Sequence, residues 1–291
     1  MNPIPRRTFL ASLAALPSLA GRAAATSVPP RIGINTSSFG PLRHASDPAE
    51  RIACDDIPRV LREELDLTII DLESVTFGPP DPAAAARFRA LAEKAGCTII
   101  NLKVNAHDLP FDSEDRPARE PALATYRKWI EVAAALGARS VRPYPARTRP
   151  RLETLVESYL TLADHADRHG LTVLIENYLW LESEPQIIPE IVRRTGGRIR
   201  ALVDTGNWAD AATRRAGLAA AFPHAMTCDF KFRDLAPDGT HAAYDLCEAF
   251  LIGRAAGYRG PWCFEHTHRS RRALIRELLF MKSQLESWAA A

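Results

Sequence analysis

Short runs of β-branched and apolar residues recur along the chain, separated by longer stretches of mixed character. Each run has the length of a buried strand, and the runs begin about 33 residues apart on average. The predicted strands are Ile32–Ile34, Thr68–Leu72, Thr98–Val104, Ser140–Arg142, Leu171–Ile175, Ile199–Val203, Met226–Phe230 and Trp262–Phe264. This spacing leaves room for one helix between each strand and the next.

The segments between the predicted strands carry apolar residues at the i, i+3, i+4 spacing of helices, as in Tyr126–Leu136, Leu152–His169 and Ala243–Ala256. Several helices are predicted to end at a glycine just before the next strand, and these glycines are Gly96, Gly137, Gly170 and Gly257. A strand and a helix repeated eight times predict the α/β class and a single (β/α)₈ TIM barrel over residues 26–291. An open doubly wound sheet is the alternative, but no Gly-x-Gly-x-x-Gly follows the first predicted strand.

The first 25 residues have the pattern of a removable export signal. Arg6 and Arg7 precede an apolar run from Phe9 to Ala20, and small residues lead to a cleavage site after Ala25. This run is too short for a transmembrane anchor, which needs ~20 residues. Because Thr, Phe and Leu follow the arginine pair, the segment resembles a twin-arginine signal, whose pathway exports folded proteins. We therefore predict a signal peptide over residues 1–25 and a periplasmic or secreted mature protein.

The composition is that of a soluble globular protein, with 46% hydrophobic and 25% charged residues, and excludes a disordered or fibrous chain. Since 37 Lys and Arg oppose 35 Asp and Glu, the formal net charge of +2 does not indicate a large nucleic-acid footprint. The five cysteines are odd in number and widely spaced. They favour buried thiols over a disulfide framework or a zinc knuckle.

Acidic residues stand at the ends of four consecutive predicted strands, the fifth to the eighth. They are Glu176, Asp204, Asp229 and Glu265. The carboxyl ends of barrel strands meet at one mouth, where TIM barrels build their active sites. A salt bridge or a helix N-cap would explain one such carboxylate, but four in one mouth need a cation. The pattern therefore predicts a cation bound at this end of the barrel.

Four segments contain these residues or lead up to them: Ile175-Glu176-Asn177, Asp204-Thr205-Gly206-Asn207, Asp229-Phe230-Lys231, and Gly257-Tyr258-Arg259-Gly260-Pro261-Trp262 followed by Glu265. They resemble motifs of the sugar phosphate isomerase/epimerase superfamily, the xylose isomerase-like barrels. The similarity covers residues 31–290. It implies that Glu, Asp, His and Glu on strands five to eight hold a divalent metal ion, and that the two glutamates move a proton between neighbouring sugar carbons.

Carried onto this chain, the resemblance makes Glu176, Asp204 and Glu265 metal ligands, and it makes the two glutamates the catalytic residues. Asp229 stands where the family usually has histidine. A site of four carboxylates favours a hard ion such as Mg²⁺ or Mn²⁺ over Zn²⁺ or Co²⁺. The alternatives are a site with three ligands, a decayed metal site, and substitution by His266 just beyond the eighth strand.

Two residues near the predicted ligands are candidates for direct roles on the substrate. Lys231 lies two residues after Asp229, on the same strand face, and matches the lysine of the family's His-x-Lys pair. It would hold a hydroxyl or stabilise an oxyanion, and its alternative role is an ion pair with Asp204 or Asp229. Asn207 occupies a position where relatives place a substrate-contacting residue, and its alternative role is a helix N-cap.

Further candidates lie at or near the ends of the second, third and fourth predicted strands. Glu73 and Lys103 are interpreted either as substrate contacts or as partners in ion pairs of the barrel wall. Arg142 is a candidate clamp for a carboxylate or phosphate group. His107, in the loop after the third strand, is a candidate for substrate binding or acid–base catalysis.

Together these features predict an exported, divalent-metal-dependent enzyme that abstracts a proton next to a carbonyl of a small carbohydrate or polyol. Isomerisation, epimerisation and β-elimination share that step and stay open. The alternatives are a non-catalytic sugar-binding barrel with a decayed metal site and an endonuclease-like metal hydrolase, which the few histidines at strand ends disfavour. We expect no nucleic-acid partner and no stable membrane anchor, and homo-oligomerisation stays open.

Overall fold

Eight parallel strands close into a barrel in chain order, and the last strand pairs with the first. The computed structural model describes residues 29–233 and 235–291, so the predicted signal peptide over residues 1–25 lies outside the described residues. The strands are β1 Ile32–Asn35, β2 Ile69–Glu73, β3 Thr98–Val104, β4 Ser140–Pro143, β5 Thr172–Glu176, β6 Ile199–Asp204, β7 Ala225–Lys231 and β8 Trp262–Glu265. The predicted α/β class and single (β/α)₈ TIM barrel are confirmed.

Helices connect the strands. The α-helices are α1 Ile57–Val60, α2 Ser74–Phe77, α3 Pro82–Lys94, α4 Arg116–Ala135, α5 Leu152–Asp167, α6 Ile187–Arg194, α7 Ala211–Ala221, α8 Leu246–Ala255 and α9 Arg271–Ala290. Helix α1 runs into a π-helical turn, Leu61–Leu65, and 3₁₀ segments lie at Thr36–Leu42, Cys54–Asp56, Leu179–Ser183 and Phe222–His224. Within the described ranges, no helix combines the length and the apolar character that a membrane span requires.

The predicted strands are correct in number and position, but five of them gain a charged last residue. These residues are Glu73, Glu176, Asp204, Lys231 and Glu265. The apolar pattern in the sequence ends at the residue before the charged one. The strand itself continues for one more residue, because each charged side chain has a partner inside the barrel. Helix α4 begins at Arg116, before the predicted Tyr126, with Pro117 in its first turn. The four predicted glycine stops all have positive φ, between 68° and 82°.

The main apolar core lies between the outer face of the barrel and the helices. On β8, Trp262 packs against Phe222 and Phe250 of the helical layer. The alternate residues Cys263 and Glu265 point into the barrel, since neighbouring strand residues face opposite sides. Cys263 forms a small apolar cluster with Ile69 and Ile100, separate from the main core. Charged side chains fill the barrel above this cluster, at the carboxyl ends of the strands.

Candidate active site

A polar cavity of about 340 Å³ opens at the carboxyl ends of the strands. The residues that line it are Ser37, Glu73, Lys103, Asn105, His107, Arg142, Tyr144, Glu176, Tyr178, Asn207, Lys231, Arg233 and Glu265. All the predicted catalytic and substrate-binding residues are among them. The structure therefore brings together side chains from β2, β3, β4, β5, β7 and β8 and from the loops that follow the strands.

Glu176 is held by cationic and amide groups at the wall of the cavity. Its Oε2 lies 2.8 Å from Nε of Arg142, and both side chains are buried. Its Oε1 accepts a hydrogen bond of 3.5 Å from Nδ2 of Asn207. Arg142 also donates from Nη2 to Oδ1 of Asn105, over 2.8 Å, so its guanidinium is fixed from two sides. This arrangement aims a carboxylate of defined orientation into the cavity.

Lys231 lies among three oxygen atoms at the end of β7. Its Nζ is 2.9 Å from Oδ2 of Asp204, 3.3 Å from Oε1 of Glu265 and 2.7 Å from Oδ1 of Asn207. Of the two ion pairs considered from the sequence, the one with Asp204 is present, whereas Asp229 pairs elsewhere. The pKa of Lys231 is raised despite its burial, because Asp204 and Glu265 surround it. Lys231 therefore stays cationic at neutral pH.

Asp204 is fully buried and also anchors the turn that carries Asn207. Its Oδ1 accepts from the backbone amides of Gly206 and Asn207, at 2.7 and 2.9 Å. Burial raises the pKa of Asp204 to about 6, although Lys231 opposes the shift. Asn177 supports the same turn, because its Nδ2 donates to the carbonyls of Asp204 and Asn207. These bonds explain the Glu-Asn and Asp-Thr-Gly-Asn segments as one connected unit of β5 and β6.

Asp229 lies one layer deeper and does not line the cavity. Its Oδ2 is in contact with Nζ of Lys103, and Lys103 also lies 3.8 Å from Oε1 of Glu73. Both members of the Lys103–Asp229 pair are buried, and Oδ1 of Asp229 has no hydrogen-bond partner. The structure thus shows Lys103 in ion pairs of the barrel wall while it also reaches the floor of the cavity.

Several polar residues that lie in or next to the cavity were not identified from the sequence. Asp71 is fully buried, accepts a 2.9 Å bond from Asn101, and has its pKa raised to about 6 by burial. Asp71 could have been identified from the sequence, because it lies two residues before Glu73 on the same strand and therefore faces the same side. Asn35 donates to Oε2 of Glu265 over 3.3 Å, and Arg233 pairs with Oε1 of the same carboxylate. Their positions in loops or beside a predicted strand gave no signal.

His266 does not serve this site. Its ring stacks on Phe232 at 4.8 Å, and its Nε2 bonds to Glu277 of α9 over 2.7 Å. As the next residue after Glu265, it faces the helical layer rather than the barrel interior. Substitution of His266 for the missing histidine ligand, considered from the sequence, is therefore excluded in this structure.

Three of the four predicted metal ligands lie close together. Glu176, Asp204 and Asp229 each offer an oxygen within 4.8 Å of the others, whereas Glu265 is turned toward Lys231, Arg233 and Asn35. This donor set fits a hard divalent ion, because it is all carboxylate and includes the unpartnered Oδ1 of Asp229.

The charges of the described barrel interior also leave room for a divalent ion. Six carboxylates and three cationic side chains point inward from the strands, and Arg233, which follows β7, adds a fourth cation. The carboxylates are Asp71, Glu73, Glu176, Asp204, Asp229 and Glu265, and the strand cations are Lys103, Arg142 and Lys231. Six against four leaves a formal excess of two negative charges, which equals the charge of one divalent ion.

A second cavity of about 360 Å³ adjoins the first and shares His107 and Tyr144 with it. The two rings are in edge-to-face contact, with centroids 4.3 Å apart. A more open hollow of about 640 Å³ lies further out, around Arg149 and Glu184, and contains none of the predicted site residues. Size alone therefore does not identify the site, whereas the convergence of buried charged groups does.

The fold resembles those of solved structures of low sequence identity. D-psicose 3-epimerase from Clostridium cellulolyticum H10, solved with D-tagatose, is 15% identical with a TM-score of 0.69, covering 89% of this chain and 99% of that one. A xylose isomerase-like TIM barrel protein from Mycobacterium smegmatis, solved with magnesium, is 19% identical with a TM-score of 0.61, covering 90% and 98%. At these identities the likeness shows the fold alone. No curated protein matches the chain significantly.

A family model provides the evidence for membership. The model described as the xylose isomerase-like TIM barrel matches residues 63–284, which is well over half of the chain. The matched range runs from before β2 into α9 and includes the charged residues of the cavity described above. The chain therefore belongs to the xylose isomerase-like TIM barrel family.

Proposed function

We propose that the chain is an exported enzyme of the sugar isomerase/epimerase type, which removes a proton from a carbon next to a carbonyl of a small carbohydrate or polyol. One observation carries the proposal: two buried glutamates, Glu176 on β5 and Glu265 on β8, line the same polar cavity. The similarity to D-psicose 3-epimerase supports a sugar substrate. Isomerisation, epimerisation and β-elimination all begin with this step.

Glu265 is the proposed general base. Burial alone would raise the pKa of Glu265, but Lys231, Lys103 and Arg233 lower it below its ordinary value. Its carboxylate is therefore ionised at neutral pH and accepts the proton from carbon. Glu176, three strands away around the barrel, takes up a proton from water and delivers it to the neighbouring carbon in an isomerase or to the opposite face in an epimerase, and Glu265 then releases its proton to water. Arg142 and Asn207 hold Glu176 in place for this step.

Proton removal places negative charge on the substrate oxygen, and cationic groups of the cavity stabilise it. Lys231 and Arg142 both line the cavity and stay charged at neutral pH. The side chains that face the remaining hydroxyl groups of the substrate are Glu73, Lys103, His107 and Asn207. The cavity thus combines bases with groups that bind a polyhydroxylated molecule.

A divalent metal ion is part of the proposal. Glu176, Asp204 and Asp229 would hold it, and Glu265 is the predicted fourth ligand. The all-carboxylate donor set favours Mg²⁺ or Mn²⁺ over Zn²⁺ or Co²⁺. When bound, such an ion supplies Lewis-acid polarisation of carbonyl and hydroxyl oxygens. The magnesium complex of the similar Mycobacterium smegmatis protein supports this choice.

Export is proposed on the sequence of residues 1–25, which resembles a twin-arginine signal. This route carries proteins across the membrane after they have folded. A cavity lined by side chains from six different strands would then be complete before export. A periplasmic or secreted location also disfavours phosphorylated intracellular sugars as substrates, and it favours free or oxidised sugars and glycosides.

A second candidate function is sugar binding without catalysis. The observation that favours it is that each of the four predicted ligands already contacts a cationic side chain. An endonuclease-like hydrolase has less support, since the described lining of the cavity contains a single histidine, His107. Turnover distinguishes the two candidates that remain.

The test measures exchange of carbon-bound hydrogen. Wild-type protein with Mn²⁺ is incubated with ketoses, aldoses and oxidised glycosides in deuterated water, and NMR detects deuterium incorporation or an elimination product. Glu176→Gln and Glu265→Gln should each lose ~10² to 10⁴ in rate. Glu157→Gln, exposed on α5, is the matched control and should keep the wild-type rate. Near-normal rates in either site variant would refute the two-glutamate mechanism, and sugar binding without turnover would establish the second candidate.

A further inference from the structure

We propose that Lys231 is a built-in cation that competes with a divalent metal ion for Asp204 and Glu265. In the metal-free protein the ammonium group holds the two carboxylates together, and the ion binds Asp204 only when this group moves away. The inference rests on the proposed metal site but not on the proposed sugar reaction. The contacts of Nζ, the strand register and the shape of the turn after β6 each support it.

The ammonium group lies where oxygen ligands converge. Its contacts with Asp204, Asn207 and Glu265, at 2.9, 2.7 and 3.3 Å, come from two chain segments, the end of β6 with the turn after it and the end of β8. Two of these oxygens belong to carboxylates predicted as metal ligands. A cation that already contacts both carboxylates repels a second cation placed beside it. Occupancy by Lys231 and occupancy by a divalent ion therefore exclude each other at Asp204.

The strand register explains why a lysine takes this position. Lys231 pairs directly with Glu265 across β7 and β8, whereas Asp229 pairs with Asp204 across β6 and β7. Asp229 is thus two residues deeper than Lys231 on the same inner face, and Lys103 holds it there. The side chain of β7 that is level with Glu265 is therefore the lysine and not the aspartate.

The turn after β6 lies close to the aliphatic part of the Lys231 side chain and has a glycine at the point of contact. A Cβ atom on Gly206 would lie 2.7 Å from Cδ and 3.1 Å from Cγ of Lys231. The φ of Gly206 is outside the left-handed region, so the glycine is needed for space rather than for its backbone conformation. This close approach is independent of the ion pairs. It indicates that the folded chain makes room for Lys231 at this point.

The experiment compares Mn²⁺ binding by wild type, Lys231→Met and Gly206→Ala, measured by calorimetry without substrate. Lys231→Met should bind Mn²⁺ roughly 10- to 100-fold more tightly than wild type, because the competing cation is gone. Gly206→Ala should change affinity in the same direction by displacing the stem. Lys128→Met, exposed on α4, is the matched control and should bind as wild type does.

Thermal unfolding is a second measurement, which remains informative if Lys231→Met folds poorly without metal. In EDTA, Lys231→Met should melt below wild type, and Mn²⁺ should raise its melting temperature more than it raises that of wild type. A variant that folds only with Mn²⁺ would also support the proposal. Equal affinity in wild type and Lys231→Met, or no Mn²⁺ binding by either, would overturn it. Neither result bears on turnover, which the deuterium-exchange experiment measures separately.

Discussion

The Lys103–Asp229 pair beneath the cavity should dominate the stability of the barrel interior. Lys103 is 2% exposed and Asp229 is fully buried. Burial alone would lower the pKa of Lys103, but Asp229 and the neighbouring carboxylates raise it well above the ordinary value. Lys103→Met would therefore leave Asp229 and Glu73 as buried carboxylates without their cation. Removing one member of a buried pair costs about 3–5 kcal/mol.

A double-mutant cycle isolates the pair. Asp229→Asn alone should also destabilise, because Lys103 loses its closest partner, but the double variant removes both charges. We expect the double variant to cost about 2–3 kcal/mol less than the sum of the single variants. The reference cycle uses Arg89 and Glu93 of α3, whose side chains are 49% and 59% exposed and should couple by about 0.3–0.5 kcal/mol.

The assay is urea unfolding followed by circular dichroism at pH 7.5 in EDTA, with all variants of both cycles measured under the same conditions. A coupling energy for Lys103 and Asp229 no larger than that of the exposed pair would refute the reasoning. It would mean that the two groups do not stabilise each other as charges. The same Asp229→Asn protein also reports on ligation, because a metal ligand lost at this position should weaken Mn²⁺ binding as well.

Two further predictions concern pH and export. Burial raises the pKa of Asp112 to about 6, against about 3.9 in an unfolded chain, so the protein should lose stability as pH rises from about 4 to about 6. Asp112→Asn keeps an acceptor for the amide of Ala146. Its free energy of unfolding in urea should exceed that of wild type by about 2–3 kcal/mol at pH 7.5 and by little at pH 4. An equal gain at both pH values would contradict this. Replacing Arg6 and Arg7 by lysine should leave the protein in the cytoplasm at normal abundance in cell fractionation, whereas undiminished export would exclude the twin-arginine route.

The fold was predictable because it repeats. Eight apolar runs with helices between them require only local patterns, and glycines at the helix ends mark most of the boundaries. The candidate residues of the cavity could also be predicted from the sequence, since barrels place the carboxyl ends of their strands at one mouth. Glu176 and Glu265 were found in this way without any knowledge of their partners.

The pairing inside the barrel was not predictable. Lys103 and Asp229 are separated by 126 positions, and no local pattern links them. The register between β7 and β8 places Lys231, rather than Asp229, level with Glu265. A strand's apolar pattern defines which face a residue occupies but not its height relative to the neighbouring strand. The depth of each carboxylate therefore had to come from the structure.

The Lys103–Asp229 contact also bears on how the barrel assembles. Lys103 is on β3 and Asp229 is on β7, four strands apart in a ring of eight, so the pair spans opposite walls. Neither a fragment containing β1 to β4 nor one containing β5 to β8 has both charges. Each half-barrel would expose a charge whose partner is on the other half. Lys103 and Asp229 can therefore pair only when the ring closes, so closure of the barrel also completes the charged layer beneath the cavity.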